Sequence, residues 1–171
     1  MPLTPAQIRR RFDAAEGYLQ LGMVDHALTE LSAIGNTEDV EYDYHRLLGE
    51  CFRARQDWAA ALAEFEQCNH LQPDTLDILM AMAWCYKRLD RLADAIDTML
   101  SAYETHRNES IVLYNLSCYY SLAGNKPQAL SWLGRALRME RRLLDLIPKE
   151  TDFAPLRNDP EFCRLLELAR D

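Results

Sequence analysis

The chain has 171 residues, 49% of them hydrophobic, and a formal net charge of -8. An acidic chain argues against general nucleic-acid binding, which needs a basic surface, so we expect no nucleic-acid partner. No apolar run approaches the length of a membrane-spanning helix, and the N-terminus lacks the apolar core of a secretory signal. Five cysteines at irregular spacing favour a reducing compartment over a disulfide framework. We therefore expect a soluble, cytoplasmic, single-domain protein without a membrane partner.

The N-terminal segment predicts two short helices. Thr4 is a plausible N-cap, with Pro5 at the first helical position, and the first helix is expected to run to about Leu21. A second helix is expected from about Val24 to Ile34. No segment of the chain alternates apolar and polar residues for long enough to predict a sheet.

Residues 42–73 predict two amphipathic helices around a break at Gln56-Asp57. One face of each helix is apolar or small: Leu48, Gly49 and Phe52 in the first, Ala61, Phe65 and Cys68 in the second. Neither helix can bury that face alone. Each must therefore pack against the other and against similar helices elsewhere in the chain.

The same pattern recurs along the chain with a period of 34 residues. Each copy holds an alanine, an aromatic residue nine positions earlier, a small residue twelve earlier and a bulky apolar residue four later. The alanines are Ala27, Ala61, Ala95 and Ala129; the aromatics are Tyr18, Phe52, Tyr86 and Tyr120; the small residues are Ala15, Gly49, Ala83 and Ser117; the bulky residues are Leu31, Phe65, Met99 and Leu133. This pattern resembles the tetratricopeptide repeat (TPR), a helix-turn-helix unit that stacks upon itself.

The resemblance implies an all-α fold, a right-handed α-α superhelical solenoid of TPR hairpins. We expect a single TPR domain over residues 1–171, with repeats at about 8–41, 42–75, 76–109 and 110–143. The repeated aromatics, such as Tyr86, are expected to be buried between one repeat and the next.

The later elements follow from the same periodicity. The third repeat predicts helices at about 76–89 and 92–104, and the fourth breaks at Gly124-Asn125 before a helix expected to continue through about residue 147. On that helix, Arg135, Arg138 and Arg142 are expected to form a solvated stripe, and the alternative is a binding patch.

Residues 144–171 are expected to be a C-terminal cap and not a fifth repeat. Asp159 and Pro160 should start its helix, and Phe153 and Leu156 should cover the open end of the last repeat.

Chemical motifs are weak throughout the sequence. The four histidines lack the spacing of metal ligands, and no phosphate-binding loop or nucleophile motif occurs. Cys51, Cys68 and Cys85 occupy slots expected to be buried, where thiols are usually inert. We therefore expect no enzyme, no cofactor, no metal and no small-molecule substrate.

The resemblance implies that the first helices of the repeats line a concave groove that holds a peptide or a helix of a partner. The candidate partner-binding residues on that surface are Arg46, Arg53, Met80, Trp84, Lys87, Arg88, Tyr114 and Asn115. Asn115 matches a family position whose amide often bonds the backbone of a bound peptide. The family's clamp for acidic chaperone tails is absent, because its Lys and Asn slots hold Phe12, Glu16 and Leu47.

Trp84 lies two residues before Tyr86, so the two side chains point about 200° apart on a helix. If Tyr86 faces the next repeat, Trp84 belongs on the groove, where an exposed tryptophan beside arginine is typical of a binding hot spot. The structural alternative is that Trp84 packs against Met80 and Tyr114.

The sequence thus favours a non-enzymatic protein-interaction module or adaptor with a protein or peptide partner. An alternative is a dedicated chaperone for a secreted or assembly subunit, which would hold an unfolded client segment. A third hypothesis is an enzyme that uses the groove, and bound metal or nucleotide in the purified protein would support it.

Overall fold

The computed structural model describes residues 3–35 and 37–170. That part of the chain contains nine α-helices, and no residue of it is in a β-strand. The helices are α1 (Pro5–Gln20), α2 (Val24–Ser32), α3 (Glu41–Ala54), α4 (Trp58–Leu71), α5 (Leu76–Arg88), α6 (Leu92–Thr105), α7 (Ser110–Leu122), α8 (Lys126–Met139) and α9 (Pro160–Arg170). Three 3-10 segments, Arg141–Asp145, Ile147–Lys149 and Thr151–Leu156, connect α8 to α9. Among the described helices, none combines the length and the apolar character that crossing a bilayer requires.

The helix starts at the two ends of the chain are fixed by the expected caps. Thr4 forms a capping box with Gln7, in which each side chain accepts a hydrogen bond from the other residue's backbone N–H, at 3.3 and 2.8 Å. At α9, the Asp159 carboxylate accepts from the backbone N–H groups of Glu161 and Phe162. These bonds satisfy N–H groups that the first turn of a helix leaves without a partner. Both predicted helix starts are confirmed.

The turn inside each repeat has one residue in the left-handed backbone region. Gly22 and Gly124 adopt φ values of 73° and 72°, and Gln56 and Asp90 adopt 61° and 59° at the equivalent positions. Glycine enters this region without steric cost, whereas a residue with a Cβ is strained there. The turn geometry is therefore kept in the two middle repeats at some conformational cost.

The chain divides into two compact units, residues 1–89 and 90–171. In the first unit, consecutive helices from α1 to α5 pack against one another, and α1 also contacts α3. Two apolar clusters form its core. One cluster is Phe12, Ala15, Ala27, Leu31, Ile34, Leu47 and Cys51; the other is Ala61, Leu62, Phe65, Cys68, Ile78, Ala81, Met82 and Cys85.

The second unit is built around α7, which packs against α6, α8 and the third 3-10 segment. Leu113, Leu116 and Tyr119 are all buried, so α7 is covered on most of its sides. Phe153 and Leu156 from the third 3-10 segment are buried as predicted. Phe153 meets the edge of the Tyr114 ring at a centroid distance of 5.8 Å, so the C-terminal segment packs directly on α7.

The repeated positions are confirmed as packing positions, with one correction. The four repeat alanines have no exposed surface, and the repeated small and bulky residues are also buried. The aromatics are different: Tyr18, Phe52, Tyr86 and Tyr120 are each half-buried. Tyr86 packs at the edge of the second core cluster and its hydroxyl donates to Glu66 at 2.9 Å, so its polar end stays at the surface. The expectation of a fully buried Tyr86 is wrong.

The fourth repeat ends earlier than its sequence pattern predicts. Helix α8 stops at Met139, and Glu140 adopts an extended conformation with φ -144° and ψ 99°. The Glu140 carboxylate accepts a hydrogen bond from Ser110 at the start of α7, at 2.8 Å. The chain then turns back, and the first 3-10 segment packs on α8 and α9 with Leu143 buried. A helix that continued through residue 147 would instead carry Leu143 away from the core.

Candidate functional site

An aromatic–arginine cluster lies in the first unit and consists of Arg53, Trp58, Trp84 and Arg88. The indole rings of Trp58 and Trp84 meet edge to face, with centroids 4.8 Å apart and planes at 83°. The Arg88 guanidinium lies 4.9 Å from the Trp58 ring centroid and 5.8 Å from that of Trp84. Arg53 lies 5.8 Å from the Trp84 ring. These distances are within the range of cation–π attraction.

The local sequence explains why these side chains meet. Trp58 is the first residue of α4, immediately after Asp57, whose carboxylate caps the helix by accepting from the Ala60 N–H at 3.1 Å. Trp84 and Arg88 are four residues apart on α5 and therefore share one face. The packing of α4 against α5 brings the two indoles together.

The two arginines of the cluster differ in charge compensation. Arg53 donates to the Glu50 carboxylate at 3.0 Å, which neutralises much of its charge. Arg88 is exposed and, among the described residues, has no carboxylate within ion-pairing distance. The positive charge of Arg88 therefore lies over the two indole rings, and no carboxylate of the described residues neutralises it.

Of the other three predicted residues of this unit, two neighbour cluster residues on α5 and one lies outside the cluster. Met80 is half-buried one turn before Trp84, and Lys87 is half-buried next to Arg88. Arg46 is held elsewhere, since it donates to Glu16 at 3.0 Å and lies 3.8 Å from Asp43. Arg46 is thus already engaged with two carboxylates.

In the second unit, the predicted residue Tyr114 is only 3% exposed. Its ring packs against Phe153, a residue from the C-terminal segment, and this contact explains the burial. The expectation that Tyr114 lies on an exposed binding surface is therefore wrong. Asn115, its neighbour, is half-buried on α7.

Trp58 was missed by the sequence analysis, although a signal was present. The equivalent positions in the other repeats hold Val24, Leu92 and Lys126, so a tryptophan at this slot is unusual within the chain. Its position next to the helix break also places it near the end of α3, where Arg53 lies. A comparison of repeats for unusually large side chains would have identified it.

A second aromatic–arginine group lies in the second unit, and its side chains are less exposed than those of the first cluster. Arg135 lies 4.3 Å from the Trp132 ring centroid and also contacts the Tyr103 hydroxyl. Trp132 is 8% exposed and Arg135 is half-buried. The predicted solvated stripe is therefore wrong at Arg135, which covers aromatic side chains. This group leaves little surface for a partner.

The thiols of Cys51, Cys68 and Cys85 are buried in the core of the first unit. Burial raises the pKa of each of these thiols to about 11. A protonated, enclosed thiol is a poor nucleophile. Their contribution is apolar packing, as the sequence pattern predicted.

No protein-family sequence model and no curated protein matches the chain. Its structure is nevertheless similar to solved ones. The crystal structure of MamA matches with a TM-score of 0.72 at 14% identity over 81% of each chain. PilF of Pseudomonas aeruginosa matches with a TM-score of 0.68 at 20% identity, over 96% of this chain and 77% of the other.

A putative kinesin light chain of Podosopora anserina, with nearly identical TPR-like repeats, gives a TM-score of 0.73 at 18% identity. That match covers 98% of this chain and 95% of the other. Structural similarity at such low identity shows the fold alone and leaves the function open. Together with the period of 34 residues and the paired helices, they show that the chain is an all-α protein of the tetratricopeptide-repeat fold.

Proposed function

We propose that the protein is a non-enzymatic interaction module that holds a segment of a partner protein on the aromatic–arginine cluster of the first unit. One observation supports this most strongly. Arg88 is exposed over Trp58 and Trp84 and has no carboxylate partner among the described residues. Tryptophan and arginine in contact are the side chains that dominate binding energy at protein interfaces.

The chemistry of the cluster indicates what the partner segment carries. A carboxylate of the partner would pair with Arg88, and burial under the partner would strengthen that pair because water is removed. The half-buried indole of Trp84 offers an apolar surface for a neighbouring side chain. We therefore expect a segment with an acidic residue beside an apolar or aromatic one, with Met80, Lys87 and Arg53 at the edge of the contact.

The remaining parts of this proposal concern the whole chain. The four repeats and the C-terminal cap act as one TPR domain. Arg46 serves as a further partner contact of the first unit, and Asn115 serves as a partner contact of the second unit. A cytoplasmic location is supported by five free cysteines, since such thiols persist in a reducing compartment. The TPR fold serves as a scaffold for protein contacts, which favours this role over an enzyme.

The alternative within the same fold is a chaperone that holds an unfolded client segment. Affinity capture from the source cells, with mass spectrometry of the captured proteins, separates the two roles. Several folded partners would support the adaptor, whereas one client recovered in an unfolded state would support the chaperone.

Charge reversal tests the site itself. Arg88→Glu should abolish capture of the partner, because a second carboxylate would face the acidic segment. Arg10→Glu is the matched control, since Arg10 is an exposed arginine of the same unit outside the cluster. Equal loss of capture by both variants, or by neither, would refute binding at the cluster.

A further inference from the structure

Three potential metal ligands converge in the second unit. The Cys118 Sγ and one carboxylate oxygen each of Glu150 and Asp152 lie within 4.8 Å of one another. Cys118 and Asp152 are 2% and 6% exposed, and Glu150 is half-buried. The group combines one helix with the segment that packs over it. Cys118 is on α7, and Asp152 is in the third 3-10 segment.

A fourth polar group, the hydroxyl of Tyr114, lies in the same region of the second unit. The Tyr114 hydroxyl is buried and has no hydrogen-bond partner among the described residues. Tyr114 precedes Cys118 by one helical turn, so both side chains lie on the same face of α7. The Tyr114 ring also contacts Phe153, the residue next to Asp152, at a centroid distance of 5.8 Å. Tyr114 therefore lies one turn from Cys118 on α7 and against the segment that carries the two carboxylates.

We propose that Cys118, Glu150 and Asp152 bind a zinc ion, with the Tyr114 hydroxyl donating a hydrogen bond to a water that completes the tetrahedral coordination. A buried hydroxyl without a partner is rare, because leaving it unsatisfied costs free energy. A metal-bound water at the fourth position would accept its hydrogen bond. The arrangement of three protein ligands and one water is a known type of zinc coordination.

The donor types and distances favour zinc over the hard cations. Calcium and magnesium prefer oxygen ligands alone, whereas a thiolate with carboxylates suits zinc. Bond lengths of about 2.3 Å for Zn–S and about 2.0 Å for Zn–O place ligand atoms about 3.5 Å apart in a tetrahedron. The ligand atoms, which lie within 4.8 Å of one another, would need to approach by about 1 Å to reach that geometry.

The backbone that carries the two carboxylates is already fixed to its surroundings. Ser121 on α7 donates to the Asp152 carbonyl at 2.8 Å. Arg157 donates to the Glu150 carbonyl at 3.0 Å, and the Asp152 N–H donates to Glu150 Oε1 at 3.1 Å. A rigid backbone holds the ligands in place before the ion arrives. The ion would tie the C-terminal segment to α7 and so stabilise the unit.

The test uses the full chain after removal of metal with EDTA, with Zn²⁺ and Co²⁺ as the probes. Isothermal titration should show one Zn²⁺ bound per chain and a higher melting temperature with zinc. Co²⁺ should give the near-ultraviolet charge-transfer band of a thiolate ligand. Cys118→Ser should abolish this band, whereas Cys163→Ser, which changes the exposed thiol, should leave it intact.

Two further variants keep the test independent of folding defects. Glu150→Gln changes a half-buried side chain and should weaken zinc binding while circular dichroism shows an intact helical fold. Tyr114→Phe removes the hydroxyl alone and should weaken zinc binding by about 10-fold, as removal of an outer-shell partner does. An absence of zinc binding, a cobalt band that survives Cys118→Ser, or an affinity unchanged by Glu150→Gln would overturn the proposal.

Discussion

The edge of one indole ring meets the face of the other where Trp58 of α4 packs against Trp84 of α5, at a centroid distance of 4.8 Å. This contact fixes the Trp84 ring and holds it beneath Arg88. A preorganised aromatic pair loses little conformational freedom when a partner binds, which favours affinity. The packing of α4 against α5 thus positions the Trp84 ring for the proposed contact with a partner.

Gly49 tests the close approach of α3 and α4. A Cβ at this position would lie 2.7 Å from a ring carbon of Phe65, which is fully buried. Gly49→Ala should therefore destabilise the protein by about 1–3 kcal/mol, the usual cost of overpacking a core. Chemical denaturation gives the free energy of unfolding directly.

Gly17→Ala is the matched control for this substitution. Gly17 also lies inside a helix, but nothing lies within 4 Å of a Cβ placed there. The change should stabilise the protein by up to about 1 kcal/mol, because alanine favours helix more than glycine does. Equal effects of the two substitutions would show that the contact between Gly49 and Phe65 is not tight.

Gln56 tests the cost of the left-handed turn. Its φ of 61° matches the conformation that Gly22 and Gly124 adopt at the equivalent positions. Gln56→Gly should raise the free energy of unfolding by roughly 1 kcal/mol, because it relieves the steric strain of the Cβ. Gly22→Ala should lower it by a similar amount. If Gln56→Gly destabilises the protein, the turn is not strained at this residue.

Asp159 links the C-terminal helix to α8 through charge. Its carboxylate lies 3.0 Å from the Lys126 ammonium, and this hydrogen bond lowers the pKa of Asp159 below its ordinary value of 3.8. A carboxyl with a lowered pKa stabilises the fold above its ordinary pKa, and the contribution is lost as the pH falls through the folded pKa.

Asp159→Asn should therefore lower the melting temperature at pH 7, and the difference from wild type should shrink below about pH 4. Asparagine still caps a helix, so the variant isolates the effect of the charge. Asp145→Asn, an exposed aspartate in the first 3-10 segment, serves as control and should change little. A difference in melting temperature that persists at pH 2 would contradict the role of the ion pair.

The repeat period was predictable because it follows from packing. Ala61 and its equivalents must be small where helices meet, and Phe65 and its equivalents must fill the space between them. The same rule predicted the caps at Thr4 and Asp159, whose side chains bond within a few residues along the chain. Local hydrogen bonds and periodic burial are properties that a sequence records directly.

The site was less predictable because it depends on contacts between distant residues. The burial of Tyr114 follows from Phe153, which is 39 positions further along the chain and outside the repeat pattern. The end of α8 at Met139 similarly depends on how the C-terminal segment packs back on it. The other repeats hold no aromatic residue at the position of Trp58, so periodicity alone could not assign it a role.

The affinity of the captured partner for wild-type protein and for Trp84→Ala tests the proposed binding site most directly. Calorimetry should show that Trp84→Ala weakens binding by about 2 kcal/mol or more, which is roughly a 30-fold rise in Kd. Because Trp84→Ala also removes the packing of a half-buried indole on Trp58, circular dichroism and melting should confirm that the variant is folded. Tyr18→Ala removes a half-buried aromatic outside the cluster and should leave Kd unchanged. An unchanged Kd for Trp84→Ala, with the variant folded, would show that the partner binds elsewhere.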